Sequence, residues 1–283
     1  MEKQYIPFVE ELLELAIKED IGDGDHTSLS TIPASERGKM KLLIKEEGVL
    51  AGVEVARMVF SRLDKSVKFE QYLNDGDRVK VGDIAFRVEG KLITLLQSER
   101  ITLNIMQRMS GVATQTAVYV KELQGLKTRV LDTRKTTPGM RVLDKMAVKI
   151  GGGDNHRMGL YDMILIKDNH IDFAGGITSA VTKCRDYLKK NNKDLKIEVE
   201  VRSLSDIKEL FAIGVPYRIM LDNFNIEQTK EAVALINGAC EIESSGGINL
   251  KTMRSYAECG VDVISIGALT HQIKSLDMSL KAD

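Results

Sequence analysis

Arg218-Ile-Met-Leu221, Cys240-Glu-Ile-Glu243 and Val261-Asp-Val-Ile-Ser-Ile266 are three short runs whose first residues stand about 22 apart. That interval holds a strand, a crossover helix and their turns, which is the repeat of a parallel α/β sheet. Runs at Arg129–Leu131, Met163–Ile166 and Ile197–Val201 extend the series toward the N-terminus. The segments between them carry helix signals. Ser203 with Asp206 three residues on predicts a capping box, Asn225 and Asn249 predict N-caps, and Gly214 predicts a helix end. Six or seven such units point to an α/β barrel, whose functional groups gather at the C-terminal ends of the strands. The residues found there are Asp132, Arg134 and Lys135; Lys167, Asp168 and Asn169; Arg202; Asp222 and Asn223; Ser244 to Gly247; and Gly267. The last two are Ser/Gly loops, able to turn backbone N–H groups toward phosphate oxygens.

The N-terminal half has another rhythm. Residues 8–19 read as an amphipathic helix, 39–60 as a strand followed by a helix, and 67–90 as short β runs between Asn74-Asp-Gly-Asp77 and Val81-Gly-Asp83 turns. A helical pattern from Leu92 to Leu123 is expected to break near Gly111. The expected division is an N-terminal α+β sandwich domain over 1–112 and a barrel over 113–271, with a tail at 272–283 that can pack back on the first.

Composition narrows the function. The 283 residues are 43% hydrophobic and 29% charged, with net charge −1, which describes a soluble globular protein. Low aromatic content and the lack of a long basic stripe argue against nucleic-acid binding. The N-terminus lacks the pattern of a secretion signal, and no apolar run approaches membrane-spanning length. Cys184, Cys240 and Cys259 show no metal spacing, are expected to be small core residues, and suit a reducing cytoplasm.

Charge is nevertheless concentrated. Lys127 to His170 holds nine Lys or Arg against five Asp and no Glu, so it carries +4 within a chain of −1. Clustered cations in a neutral protein attract small anions without making the whole surface adhesive to polyanions. Within this segment Asp132-Thr-Arg-Lys-Thr-Thr-Pro-Gly139 sets two cations beside three hydroxyls just after a strand, and Arg can grip a carboxylate with two parallel bonds. Gly151-Gly-Gly-Asp-Asn-His-Arg157 lacks a P-loop ending, so its glycines alone imply no phosphate. Leu165-Ile-Lys-Asp-Asn-His170 follows. In Ile197–Val201, Glu198 and Glu200 alternate with valines and share one strand face, to pair with inward cations or to serve hydrated Mg²⁺ or ribose hydroxyls. His271 stands alone near an expected helix start. No Ser/His/Asp or Cys/His nucleophile arrangement is evident.

At Ser98-Glu-Arg100, Ser110-Gly-Val-Ala-Thr114, Asp132–Arg141, Gly151–His170, Glu198–Val201, Leu221-Asp-Asn223, Glu243–Ile248 and Gly267–His271 the chain resembles the type II quinolinate phosphoribosyltransferase family. The resemblance spans essentially the whole sequence. It implies an N-terminal α/β sandwich with an incomplete (β/α) barrel, in a homodimer or hexamer where one subunit closes the other's site. It assigns Thr133, Arg134, His156, Arg157 and Lys167 to quinolinate, with Arg100 arriving from a partner. Phosphoribosyl pyrophosphate falls to Lys135, Glu200, Asp222, Ser245, Gly246, Gly247, Ser265, Gly267 and His271. Lys135, Lys167, Glu200 and Asp222 are the implied catalytic groups, and the implied cofactor is Mg²⁺, held mainly by pyrophosphate and water with Glu200 or Asp222 as candidate ligands. Competing readings are a phosphoribosyltransferase for a pyridine with one carboxylate, for which this clamp carries excess charge, a molybdenum-transport accessory homologue, and a metabolite-binding protein without catalysis.

Overall fold

The computed structural model describes residues 1–283. After a one-turn helix at Lys3–Tyr5 come α1 (Ile6–Ile21), α2 (His26–Thr31), β1 (Arg37–Ile44), β2 (Gly48–Val49), α3 (Val53–Leu63), β3 (Lys68–Gln71), β4 (Arg78–Val79), β5 (Ile84–Lys91) and α4 (Leu92–Glu122). The second half alternates: β6 (Arg129–Leu131), α5 (Arg141–Ile150), β7 (Ile164–Ile166), α6 (Asp168–Ala174), α7 (Ile177–Lys190), β8 (Ile197–Val201), α8 (Leu204–Ile213), β9 (Arg218–Asp222), α9 (Ile226–Ile236), β10 (Glu241–Ser245), α10 (Met253–Ala257), β11 (Val263–Ser265), α11 (Ala268–His271) and β12 (Met278–Ala282). No helix is long and apolar enough to cross a membrane.

Two compact units can be told apart. The first gathers Met1–Val118, Lys135–Gly153 and Leu269–Asp283, and the second Tyr119–Arg134 and Asp154–Ala268.

The first unit is built on an antiparallel sheet in the order β12-β1-β5-β3. Alternation along β1 and β5 sends Leu42, Ile44, Phe86 and Val88 to the core, where Phe60 of α3 meets Phe86 edge to face at 6.2 Å. The C-terminal strand joins this sheet, with Leu42 opposite Leu280. The turn at Asn74–Asp77 does more than reverse the chain, because Asp75 accepts the Val53 N–H at 2.8 Å and caps α3. Helix α4 runs unbroken through Gly111, against expectation. A Cβ there would lie 2.3 Å from the Lys274 carbonyl, so this glycine serves close backbone approach rather than a helix break. Gly151 likewise lies against the Ala113 carbonyl of α4, so that part of the glycine string is packing.

The second unit is a six-stranded parallel sheet ordered β6-β11-β10-β9-β8-β7. Its order has two ends, β6 and β7, so the barrel is incomplete and closure is not reached. Ser203 accepts the Asp206 N–H at 3.3 Å while Asp206 takes the Ser203 N–H at 3.0 Å, completing the expected capping box. Asn225 and Gln228 do the same for α9. Asn249 differs: its carbonyl accepts the Met253 N–H, which places it a turn before α10, whose N-cap is Thr252. Only Cys259 of the three thiols is buried; Cys184 and Cys240 are intermediate.

Candidate active site

Parallel register decides which inward side chains meet. Glu198 of β8, Arg218 of β9 and Glu241 of β10 are direct neighbours, as are Glu200, Met220 and Glu243 one pleat higher, and Asp222 pairs with Ser245 above them. The lower rows form a floor of buried charge. The Arg218 guanidinium donates from Nε and Nη2 to Glu241 Oε2 at 2.8 and 2.6 Å, from Nη1 to Glu243 Oε2 at 3.0 Å, and lies 3.5 Å from Glu198. Arg129 adds contacts to Glu241 at 2.5 Å and Asp154 at 2.8 Å.

His156 belongs to this floor. Its Nε2 lies 3.2 Å from Glu198 and 3.4 Å from Glu243, and its backbone N–H donates to Asp132 at 2.9 Å. Burial works against the charged ring, but the two carboxylates outweigh it and pull the pKa up to about 9. Yet Nδ1 accepts the Arg157 N–H at 2.7 Å, a bond open only to an unprotonated Nδ1. Burial and then the Glu243 charge push the Glu198 pKa up to about 7, opposed by His156 and Arg218. His156, Glu198 and Glu243 have the spacing of a metal site. Arg218 already supplies the cation there.

Above the floor stand the groups read from the strand ends. Lys167 reaches Glu200 at 3.5 Å. Burial raises the Glu200 pKa, Lys167 opposes that, and Asp222 and Asp168 add to it, which marks a cluster of carboxylates around one ammonium. Arg157 is half-buried, and its pKa falls through burial and then through the nearby Arg134 charge. Arg134 Nε is buried with no hydrogen-bond partner. Ser265 hydrogen-bonds Glu243. Arg100, Lys135 and His271 belong to the first unit and are exposed, His271 at the end of one-turn α11 rather than at a helix start. His170 caps α6 by accepting the Lys167 N–H at 2.9 Å.

Asn223 and the Ser/Gly loop interlock. Asn223 has φ +57°, donates its side-chain amide to Asp222 at 2.6 Å and its backbone N–H to the Ser245 carbonyl at 3.0 Å. Gly246 has φ +95°, and a Cβ there would lie 2.3 Å from Asn223 Oδ1 and 2.7 Å from its backbone nitrogen. Gly246→Ala is expected to displace the loop and lower the free energy of unfolding by about 1–3 kcal/mol. Gly247→Ala, where no atom lies within 4 Å, should cost less. Urea unfolding of the two variants checks the order.

Arg218 and Glu243 were missed by reasoning from sequence. Their signal was present, since Glu241 and Glu243 alternate along β10 as Glu198 and Glu200 do along β8.

The comparisons agree in direction. Residues 25–110 match the model of the quinolinate phosphoribosyl transferase N-terminal domain, and residues 112–281 that of the C-terminal domain. The chain is 43% identical over 287 residues to quinolinate phosphoribosyltransferase [decarboxylating] 1b of Nicotiana tabacum, covering 96% of this chain and 81% of that one. It is 45% identical over 287 residues to the chloroplastic nicotinate-nucleotide pyrophosphorylase [carboxylating] of Arabidopsis thaliana, covering 96% and 82%. The crystal structure of NadC from Streptococcus pyogenes superposes with a TM-score of 0.91 at 40% identity, covering 96% of this chain and 95% of that chain.

Proposed function

This chain belongs to the quinolinate phosphoribosyltransferase family, and on that premise we propose how its residues divide the reaction. It transfers the phosphoribosyl group of 5-phosphoribosyl-1-pyrophosphate to quinolinate with decarboxylation, giving nicotinate mononucleotide, carbon dioxide and pyrophosphate in NAD synthesis.

Arg134, Arg157 and Lys167 bind the two carboxylates of quinolinate, with Thr133 beside them and Arg100 brought by a second copy of the chain in a dimer or larger assembly. His156, both of whose ring nitrogens face protein groups, holds the Arg157 backbone in place. One observation carries this reading: two guanidinium groups repel each other at half-buried positions while Arg134 keeps a buried donor unused. A dianion relieves that repulsion and fills the donor. A pyridine with one carboxylate neutralises less of it.

Lys135, Glu200, Asp222, Ser245, Gly246, Gly247, Ser265, Gly267 and His271 form the sugar-phosphate side. The hard carboxylate oxygens of Glu200 and Asp222 suit Mg²⁺, since burial raises the Glu200 pKa and the nearby Asp222 charge adds to it. When bound, Mg²⁺ supplies charge compensation to the pyrophosphate. The C1–O bond breaks with its electron pair leaving on pyrophosphate, and Glu200 or Asp222 faces the positive charge at the sugar. The quinolinate nitrogen lone pair then closes on C1. Its new positive charge draws in the electron pair of the adjacent ring–carboxylate bond as carbon dioxide departs, and a proton from water completes the ring. No enzyme nucleophile is required, and the clamp's work is orientation.

Purified protein with both substrates and Mg²⁺ is expected to form nicotinate mononucleotide, and a chelator to stop it reversibly. Calorimetry should show quinolinate binding undiminished by the chelator, because the clamp needs no metal. Loss of quinolinate binding on chelation would overturn this division.

A further inference from the structure

The ion pair of Arg108 with buried Asp144 has no part in the reaction described above. Arg108 of α4 donates from Nε and Nη2 to the two oxygens of Asp144 at 2.9 and 3.0 Å, and Asp144 of α5 is fully buried. The same Nη2 reaches Thr137 Oγ1 at 3.0 Å and the Thr270 carbonyl at 3.2 Å. Asp144 also takes the backbone N–H of Thr137. Thr270 in turn donates its hydroxyl to the Lys135 carbonyl at 2.9 Å. One planar donor group thus ties α4 and α5 to the loop that carries Lys135 and to the turn that ends in His271.

A buried ion pair adds little stability over apolar replacements, because desolvation offsets its attraction. What it fixes is geometry. The fork of Arg108 satisfies both carboxylate oxygens and still aims a donor at two further segments, which a lysine ammonium cannot reproduce. The backbone of Lys135 and the residue before His271 are what this fork and the Thr270 hydroxyl hold. Both side chains are exposed, and where each can reach is set by the backbone beneath it.

We propose that Arg108, together with Asp144 and Thr270, is a positioning residue that sets where Lys135 and His271 stand, so that phosphoribosyl pyrophosphate binding depends on it. The inference rests on the assignment of Lys135 and His271 to the sugar-phosphate side.

Thr270→Val removes the hydroxyl at nearly constant size, Thr270→Ser retains it, and Arg108→Lys keeps the charge but loses the fork. KM for phosphoribosyl pyrophosphate is expected to rise about tenfold in Thr270→Val and in Arg108→Lys, and to stay near that of the parent in Thr270→Ser. The quinolinate Kd by calorimetry should not move. Lys135→Met is the reference for the underlying assignment. If it leaves KM for phosphoribosyl pyrophosphate unchanged, that assignment fails and the inference falls with it. If Lys135→Met raises that KM while Thr270→Val and Arg108→Lys do not, the positioning role alone is overturned. Weakening of both substrates in step with a lower Tm would also overturn it, as the mark of a purely structural pair. Should Arg108→Lys fail to fold, the Thr270 pair decides.

Discussion

Replacing Arg218 by methionine is expected to lower the free energy of unfolding by about 3–5 kcal/mol. Arg218 is 6% exposed and is the cation shared by Glu198, Glu241 and Glu243, of which Glu198 and Glu243 are completely buried. Methionine keeps most of the apolar stem, so packing changes little and the loss reports charge. Carboxylates left without the guanidinium hold their protons to higher pH in the folded state than in the unfolded chain. The penalty is therefore absent below the ordinary carboxylate pKa near 4.5 and grows as pH rises above it. Urea unfolding at pH 5 and pH 8 should show a larger loss at pH 8. Adding Glu198→Gln and Glu243→Gln to the same chain should recover part of it, since the uncompensated charges are then gone. A loss under about 1 kcal/mol at both pH values would show that the floor does not depend on Arg218.

Arg134→Ala is expected to act in the opposite sense, on activity and not on stability. A charge-assisted bidentate contact is worth about 1.5–3 kcal/mol, so kcat/KM for quinolinate should fall roughly 10- to 150-fold. In the free protein Arg134 adds to what burial already does to lower the Arg157 pKa, and its buried Nε has no acceptor, so its removal relieves a repulsion. Tm should stay level or rise slightly, while KM for phosphoribosyl pyrophosphate changes little. An unchanged kcat/KM for quinolinate would remove Arg134 from the clamp. A large fall in Tm would mean that its charge is satisfied within the folded chain.

Much of this is legible in the sequence. The spacing of Arg218, Cys240 and Val261 predicts parallel strands, because helix and strand lengths together fix the repeat, and Ser203 and Asn225 predict helix starts, because caps are local chemistry. The strand ends named Lys167 and Asp222 for the same local reason, and alternation along Ile197–Val201 put Glu200 on one face with Glu198. What escaped is nonlocal. Alternation says that Glu198 points inward, but only register between strands says that it meets Arg218 and not another cation. Gly111 reads as a helix break until the Lys274 carbonyl is seen against it. His156 and His170 look alike in sequence, yet one sits between buried carboxylates and the other caps a helix. The hydroxyls of Thr136 and Thr137 stand in sequence only as polar groups of a loop, and the fold gives them Arg141 at 3.1 Å and Arg108 at 3.0 Å as donors.

The most direct test of the cationic clamp is a crystal structure of the quinolinate complex. The two carboxylates are predicted to lie within hydrogen-bonding distance of Arg134 Nε, the Arg157 guanidinium and Lys167 Nζ, with Arg100 of a second copy closing the site. Quinolinate bound with neither carboxylate touching Arg134 or Arg157 would contradict the account.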